Sequence, residues 1–324
     1  MPLTRSRPYT PPFWLHNRHA LTIWPAVFRK PNPLPASRTR LATADGDFVD
    51  VDFMPVTPGE RSRRAVILSH GLEGHSRRPY MLGMAHALHS AGWDVLSRNL
   101  RHCSGEVSCS PYLYHDGEVA DIDMLIRLCE EKGYDQVALV GFSMGGNQTL
   151  KYLGEEKDDV PGSVVGAVVF SVPCDLAGSA ALLCQPGYRP YRLYFMTTLQ
   201  AKIDSIIKQC DAVNGKDLER LWDYAVFDEP FDTPLNGCST PRAYWEQASC
   251  LPVLDRIRVP TLLVNAWDDP FLSTSCYPLR AAEQCPDFFL EIPEHGGHTG
   301  FVSFNPENRY WSEQRALDFL ADIA

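Results

Sequence analysis

The 324-residue chain has no window approaching 18 uninterrupted apolar residues, so no membrane-spanning helix is expected. Residues Met1 to Pro12 are rich in Pro and Arg and lack the apolar stretch of a secretory leader, so no signal peptide is expected. No two of the ten cysteines stand in C-x-x-C spacing, which removes the commonest zinc and redox patterns. Several cysteines (Cys129, Cys174, Cys184) sit in apolar or helical contexts, where a buried free thiol is the ordinary outcome. These absences point to a reducing, cytoplasmic setting without structural metal. Excess positive charge is missing as well. Thirty Lys and Arg against 40 Asp and Glu leave a net charge of −10, which argues against nucleic acid as a partner and offers no basic patch to anionic membranes. The short basic cluster Arg61-Ser62-Arg63-Arg64 reads as a solvated loop. Internal repeats and low-complexity segments are absent too.

What is present is a large apolar fraction, 44%, enough to fill the core of either one big α/β domain or a domain with an insertion. Residues 1–36 are Pro-rich, and Pro25 together with His16-Asn17-Arg18-His19 argues against a long helix, so the segment is expected to wrap the domain surface. Two alternating runs, 38–44 and 47–54, flank Asp45-Gly46, a strong hairpin signal. From Ala65 onward strands and helices alternate. The strands are 65–69, 93–97, 136–140 and 164–171, with helical patterns at 80–89, 119–131 and up to about Glu155. The rhythm predicts a mostly parallel sheet with helices on both faces. It breaks between Cys174 and Pro252, where helical, aromatic-rich segments (Tyr191–Gln209, Leu218–Phe227) and turn signals at Pro230, Pro234 and Pro241 replace strands. The sheet resumes at 261–265 and 288–292, and an amphipathic helix carrying Tyr310, Leu317, Phe319 and Leu320 closes the chain. The expected organisation is a wrapping segment (1–36), a core (37–173), a helical cap insertion (174–252) and the rest of the core (253–324).

Residues 137–149 carry the strongest chemical signal. A short apolar run meets Gly141-Phe142-Ser143-Met144-Gly145, and a helical pattern follows at once. Between a strand and a helix, G-x-S-x-G describes a sharp turn that lifts a serine hydroxyl out of the strand's carboxyl end. A nucleophilic serine needs a base, and the base needs an acid to hold its tautomer. In this architecture the chain order is serine, acid, histidine. Downstream of Ser143, histidine occurs only at His295 and His298, in Glu294-His295-Gly296-Gly297-His298. His298 is the preferred base, because the two glycines before it let the backbone approach the elbow and Phe301-Val302 can anchor its ring. His295 reads as a loop residue. The acid should close the preceding strand, where Asp268 and Asp269 are adjacent. Pro270 disfavours helical angles at Asp269, which suits a tight turn, so Asp269 is preferred and Asp268 reads as a cap or a solvent-facing carboxylate. Backbone N–H groups of Met144 and of Leu72, in the His70-Gly71-Leu72 turn, are the candidate oxyanion donors. The loops Arg98–Gly105 and Tyr114–Gly117 can line a site but receive no catalytic role.

These motifs, together with His19-Ala20-Leu21-Thr22, His70-Gly71-Leu72-Glu73-Gly74, Lys151-Tyr152-Leu153-Gly154, Ser171-Val172-Pro173-Cys174-Asp175-Leu176, Asn265-Ala266-Trp267-Asp268-Asp269-Pro270 and Gly296-Gly297-His298, resemble the YheT-like branch of the α/β-hydrolase superfamily over nearly the whole chain. The resemblance implies a serine hydrolase of carboxylic esters that needs no cofactor, acting on a small-molecule or lipid ester. Membrane-anchored eukaryotic relatives in this branch are lipid-active, and this chain looks like a soluble, bacterial-type member. Alternatives are acyl hydrolysis of lipids at a membrane surface and a non-catalytic binding scaffold on the same fold. One departure stands out: His102 occupies a position where the family usually has Gly.

Overall fold

The computed structural model describes residues 8–59, 62–107, 118–209 and 241–323. Its centre is an eight-stranded sheet in the order β1-β2-β4-β3-β5-β6-β7-β8. In chain order the strands are β1 (Ser37–Ala42), β2 (Phe48–Met54), β3 (Arg64–Ser69), β4 (Asp94–Arg98), β5 (Gln136–Phe142), β6 (Val164–Phe170), β7 (Thr261–Val264) and β8 (Phe288–Glu291). β1 and β2 form the antiparallel hairpin expected around Asp45-Gly46, and Gly46 takes φ +83° at its turn. β2 joins β4 antiparallel, and all later pairings are parallel.

The parallel strands bury both faces, and successive side chains divide between two cores. Ile67, Leu139 and Val169 point into one with Ile122, Leu125 and Ile126 of α3 (Ala120–Glu131) and Leu150 and Leu153 of α4 (Met144–Glu156). Leu68, Val140 and Val168 point into the other with Met81, Met84 and Leu88 of α2 (Pro79–Ser90) and Ala316, Phe319 and Leu320 of the C-terminal helix α9 (Trp311–Ile323). Between β6 and β7 the described residues contain α5 (Leu176–Leu183), α6 (Arg189–Gln209) and α7 (Pro241–Ala248), and no strand. A further short helix, α8 (Leu279–Gln284), precedes β8.

Two expectations require correction. The N-terminal segment contains a real helix, α1 (Arg18–Phe28), with Pro25 inside it. The Asn17 side chain caps it by accepting from the backbone N–H of His19 and Ala20, and Leu21 and Pro25 are buried beneath it. Capping and burial thus outweigh the one internal hydrogen bond that Pro25 cannot make. Likewise Pro241 opens α7 and is not a turn, which fits proline's tolerance in the first helical turn. The expected helix at Leu218–Phe227, the turns at Pro230 and Pro234 and the Tyr114–Gly117 loop lie outside the described residues. No helix among the described residues is long and apolar enough to cross a membrane.

Candidate active site

Strand register brings the chemistry to one edge. Ser69 at the end of β3 pairs with Gly141 near the end of β5, and Val264 at the end of β7 aligns with Phe170 and Glu291. The turns after β3, β5, β7 and β8 therefore emerge side by side at the carboxyl edge of the sheet, where open α/β sheets place their sites.

Ser143 links β5 to α4 with φ 52° and ψ −121°, a sparsely populated conformation that costs an L-residue on the order of 1–3 kcal/mol. Its N–H donates to Phe170 O at 2.9 Å, which pins the strained residue to β6. Glycine is obligatory on both sides. A Cβ on Gly141 would lie 2.7 Å from Gly145 O, and one on Gly145 would lie 2.5 Å from His70 O.

His298 sits on the loop after β8, with Nε2 3.0 Å from Ser143 Oγ. Its Nδ1 lies 3.0 and 3.1 Å from the two carboxylate oxygens of Asp269. Asp269 is fully buried, and its Oδ1 also accepts from Phe271 N–H at 2.9 Å. A backbone N–H can only donate, so this bond holds the carboxyl group in its orientation beside the imidazole. The geometry brings Ser143, His298 and Asp269 into one hydrogen-bonded chain.

Asp268 points elsewhere. Its Oδ1 accepts from Gly297 N–H at 2.9 Å and its Oδ2 lies 3.2 Å from His295 Nδ1, so it braces the histidine loop and is not a cap or a solvent-facing turn carboxylate. The glycines before His298 also act differently from expectation. A Cβ on Gly297 (φ +58°) would strike Arg18 O and Leu21 Cβ of α1 at 2.9 Å, and one on Gly296 would strike Ala266 Cβ and Phe301 at 2.6 Å. They admit α1 and the β7 turn, not the elbow. The ring packed on His298 is Phe271, 4.5 Å between centroids, while Phe301 packs against Phe170 and Trp311.

Sequence reading missed the support from α1. Thr22 Oγ1 accepts the His298 backbone N–H at 2.9 Å, and Arg18 Nη2 donates to Asp269 O at 2.7 Å. The only available signal was the His19–Thr22 motif, which carried no role by itself. Behind the loop, Ser171 Oγ accepts from Thr299 N–H at 2.8 Å. The α6 segment reaches this apparatus through Tyr191, whose hydroxyl lies 3.0 Å from His19 Nδ1 and whose ring meets Phe271 at 4.7 Å. Burial pushes the Tyr191 phenol up to about 12, so it stays protonated at neutral pH.

The His70–Gly74 turn lies directly against the nucleophile: a Cβ on Gly71 would stand 2.9 Å from Ser143 Cβ. Met144 opens α4, so its N–H belongs to the first turn, which has no intrahelical acceptor, and Leu72, next in chain to Gly71, is half-buried. In the neighbouring 98–105 loop, His102 takes φ 60°, the left-handed conformation that glycine adopts freely. The loop therefore keeps a glycine-like path despite the substitution.

The comparisons with known proteins agree with this architecture. A profile of the alpha/beta hydrolase fold matches residues 64–202. The candidate esterase YheT of Escherichia coli (strain K12) is 31% identical, with 94% of this chain and 90% of that protein covered. The chain belongs to the YheT-like branch of the α/β hydrolases. Another relative of this YheT-like chain is phospholipase ABHD3 of Homo sapiens, 28% identical over 91% of the chain and 73% of that protein. Among solved structures, the esterase Pf2001 of Pyrococcus furiosus superposes with a TM-score of 0.60 at 17% identity, covering 90% of this chain and 92% of that one. That likeness speaks for the fold alone.

Proposed function

We propose that the protein hydrolyses carboxylic esters through an acyl-enzyme on Ser143, with His298 as base and acid and Asp269 as its orienting carboxylate. The observation that carries this reading is the unbroken chain Ser143 Oγ–His298 Nε2 (3.0 Å) and His298 Nδ1–Asp269 (3.0 Å). With Nδ1–H donated to Asp269, Nε2 is left as the acceptor for the serine proton. Oγ attacks the ester carbonyl as its proton passes to Nε2, and the tetrahedral oxyanion is held by the N–H groups of Leu72 and Met144. The C–O bond to the alcohol then breaks, with the Nε2 proton going to the departing oxygen. Water, deprotonated by the same nitrogen, releases the acid. The described residues 174–209 and 241–252 are read as a cap over this edge, and the ring of Tyr191 on α6 meets that of Phe271 after β7 in an apolar, aromatic contact suited to an acyl or aryl group. Turnover of p-nitrophenyl esters of graded chain length is the test. Ser143→Ala and His298→Ala should abolish it in folded protein, and unchanged turnover in either would remove the reading.

Acyl hydrolysis at a lipid surface is the second reading. Curated relatives bear the names phospholipase and monoacylglycerol lipase. The outer side of α1 and its neighbours also expose Phe13, Trp14, Phe28 and Phe304, with Trp14 packed on Trp24 and Phe304. Higher activity on phospholipid vesicles than on monomeric esters would support it, and equal or lower activity would count against it. A non-catalytic scaffold predicts no turnover in the wild type.

A further inference from the structure

We propose that His70 is a positioning residue for the oxyanion hole: by donating from Nδ1 to the Gly71 carbonyl, it fixes the Gly71–Leu72 peptide and so aims the Leu72 N–H. This rests on the hydrolase reading above and deepens it. His70 is fully buried at the end of β3. Its Nδ1 lies 2.8 Å from Gly71 O, and its Nε2 lies 3.0 Å from Leu100 N. The two partners decide the tautomer between them. A carbonyl oxygen only accepts, so Nδ1 carries the proton, and a backbone N–H only donates, so Nε2 is bare. Burial supports the same state by lowering the imidazole to about 3, with the Arg98 and Lys202 cations adding to the effect.

The consequence follows from peptide geometry. The Gly71 carbonyl and the Leu72 N–H belong to one planar trans unit and point in opposite directions. Gly71 O also accepts from Gly74 N–H at 3.0 Å, while Gly71 N–H donates to Tyr80 Oη at 3.0 Å. Both peptide planes flanking Gly71 are thus tied on their inner side, and Ser143 is the next neighbour: its Oγ lies 3.4 Å from where a Gly71 Cβ would stand. The convergence is tight. A Cβ on Gly74 would come within 2.9 Å of Gly71 O, His70 Nδ1 and Tyr80 Oη together. The bond from Leu100 couples the same ring to the loop that follows β4, so the donor is braced from a third strand.

The two ring nitrogens can be separated experimentally. In His70→Asn the side-chain amide stands where Nδ1 was and keeps a donor for Gly71 O while losing the Leu100 acceptor. In His70→Gln the amide stands near Nε2 and does the reverse. Using p-nitrophenyl butyrate, with the active fraction counted by fluorophosphonate titration, kcat of His70→Gln should fall by more than about tenfold. The drop approaches the ~10²–10³-fold of a deleted oxyanion donor, with KM nearly unchanged. His70→Asn should recover most of kcat, and a trifluoromethyl ketone should lose affinity in parallel with kcat. A merely structural histidine would lower stability or active fraction in both variants and leave kcat per active site alone, which would overturn the inference. Long-range ¹H–¹⁵N spectra of the wild type need no variant: they should show a protonated Nδ1 and a bare Nε2 at His70, and the opposite tautomer would contradict it. Absence of ester turnover in the wild type would instead remove the hydrolase reading and this inference with it. Intact turnover with kcat equal in both variants would remove only the inference.

Discussion

Asp269→Asn should separate the two adjacent carboxylates sharply. In the native site both Asp269 oxygens face His298 Nδ1 at 3.0–3.1 Å, and one also accepts from Phe271 N–H at 2.9 Å. An asparagine can keep the Phe271 bond through its oxygen, but its amide nitrogen then faces Nδ1–H, donor against donor. The ring escapes by moving its proton to Nε2, which can no longer accept from Ser143. A wrong-tautomer substitution of this kind lowers kcat by about 10⁴-fold in the Ser-His-Asp template. That corresponds to about 5.4 kcal/mol of transition-state stabilisation at 1.36 kcal/mol per tenfold. Asp268→Asn is the internal control. Its oxygen can still accept from Gly297 N–H, so the loop stays in place and kcat should remain within about tenfold, one unit on the same scale. Steady-state kinetics on p-nitrophenyl butyrate, with melting temperatures alongside, make the comparison. A larger loss from Asp268→Asn than from Asp269→Asn would refute the assignment of the acid.

Gly71→Ala would place a Cβ 2.9 Å from Ser143 Cβ, so kcat should drop by about 10²-fold, as for a reacting group displaced by about 1 Å, while the melting temperature changes little. Thr22→Val removes the acceptor of the His298 N–H; denaturant unfolding should show a loss of about 1 kcal/mol, accompanied by reduced kcat. His70 makes stability depend on pH with a definite sign. Its folded value of about 3 lies below the ordinary 6.5, so the unfolded chain takes up the proton first and stability falls as pH drops through this window. Between pH 7.5 and 4.5 the loss attributable to His70 is on the order of 2–3 kcal/mol at 1.36 kcal/mol per unit. Urea unfolding at both pH values should therefore show a smaller acid-side loss in His70→Asn than in the wild type.

Much of this arrangement was readable from local pattern, and the rest was not, for identifiable reasons. Strands and helices of the parallel core announced themselves because each buries a full apolar face, and the G-x-S-x-G turn was meaningful because a strand and a helix flank it. Asp269 could be favoured over Asp268 because Pro270 restricts the residue before it. α1 was obscured by Pro25, and its tertiary role had no local signature: Thr22 meets His298 across 276 residues and Arg18 meets Asp269 across 251. Gly296 and Gly297 were recognised as sites of close approach, but what approaches them is set by the packing of α1. Phe271 carries no local signal of its role, because only the fold lays its ring on His298. His102 shows the converse. It takes φ 60°, a conformation that glycine adopts freely, so a bulky residue type does not by itself forbid that backbone path.

The proposed hydrolysis depends most on Ser143 acting as the covalent nucleophile. Fluorophosphonate labelling followed by peptide mapping tests this directly. The adduct should fall on the peptide containing Ser143 and nowhere else, and Ser143→Ala should lose both the label and ester turnover. An adduct on another residue, or turnover that survives the substitution, would contradict it.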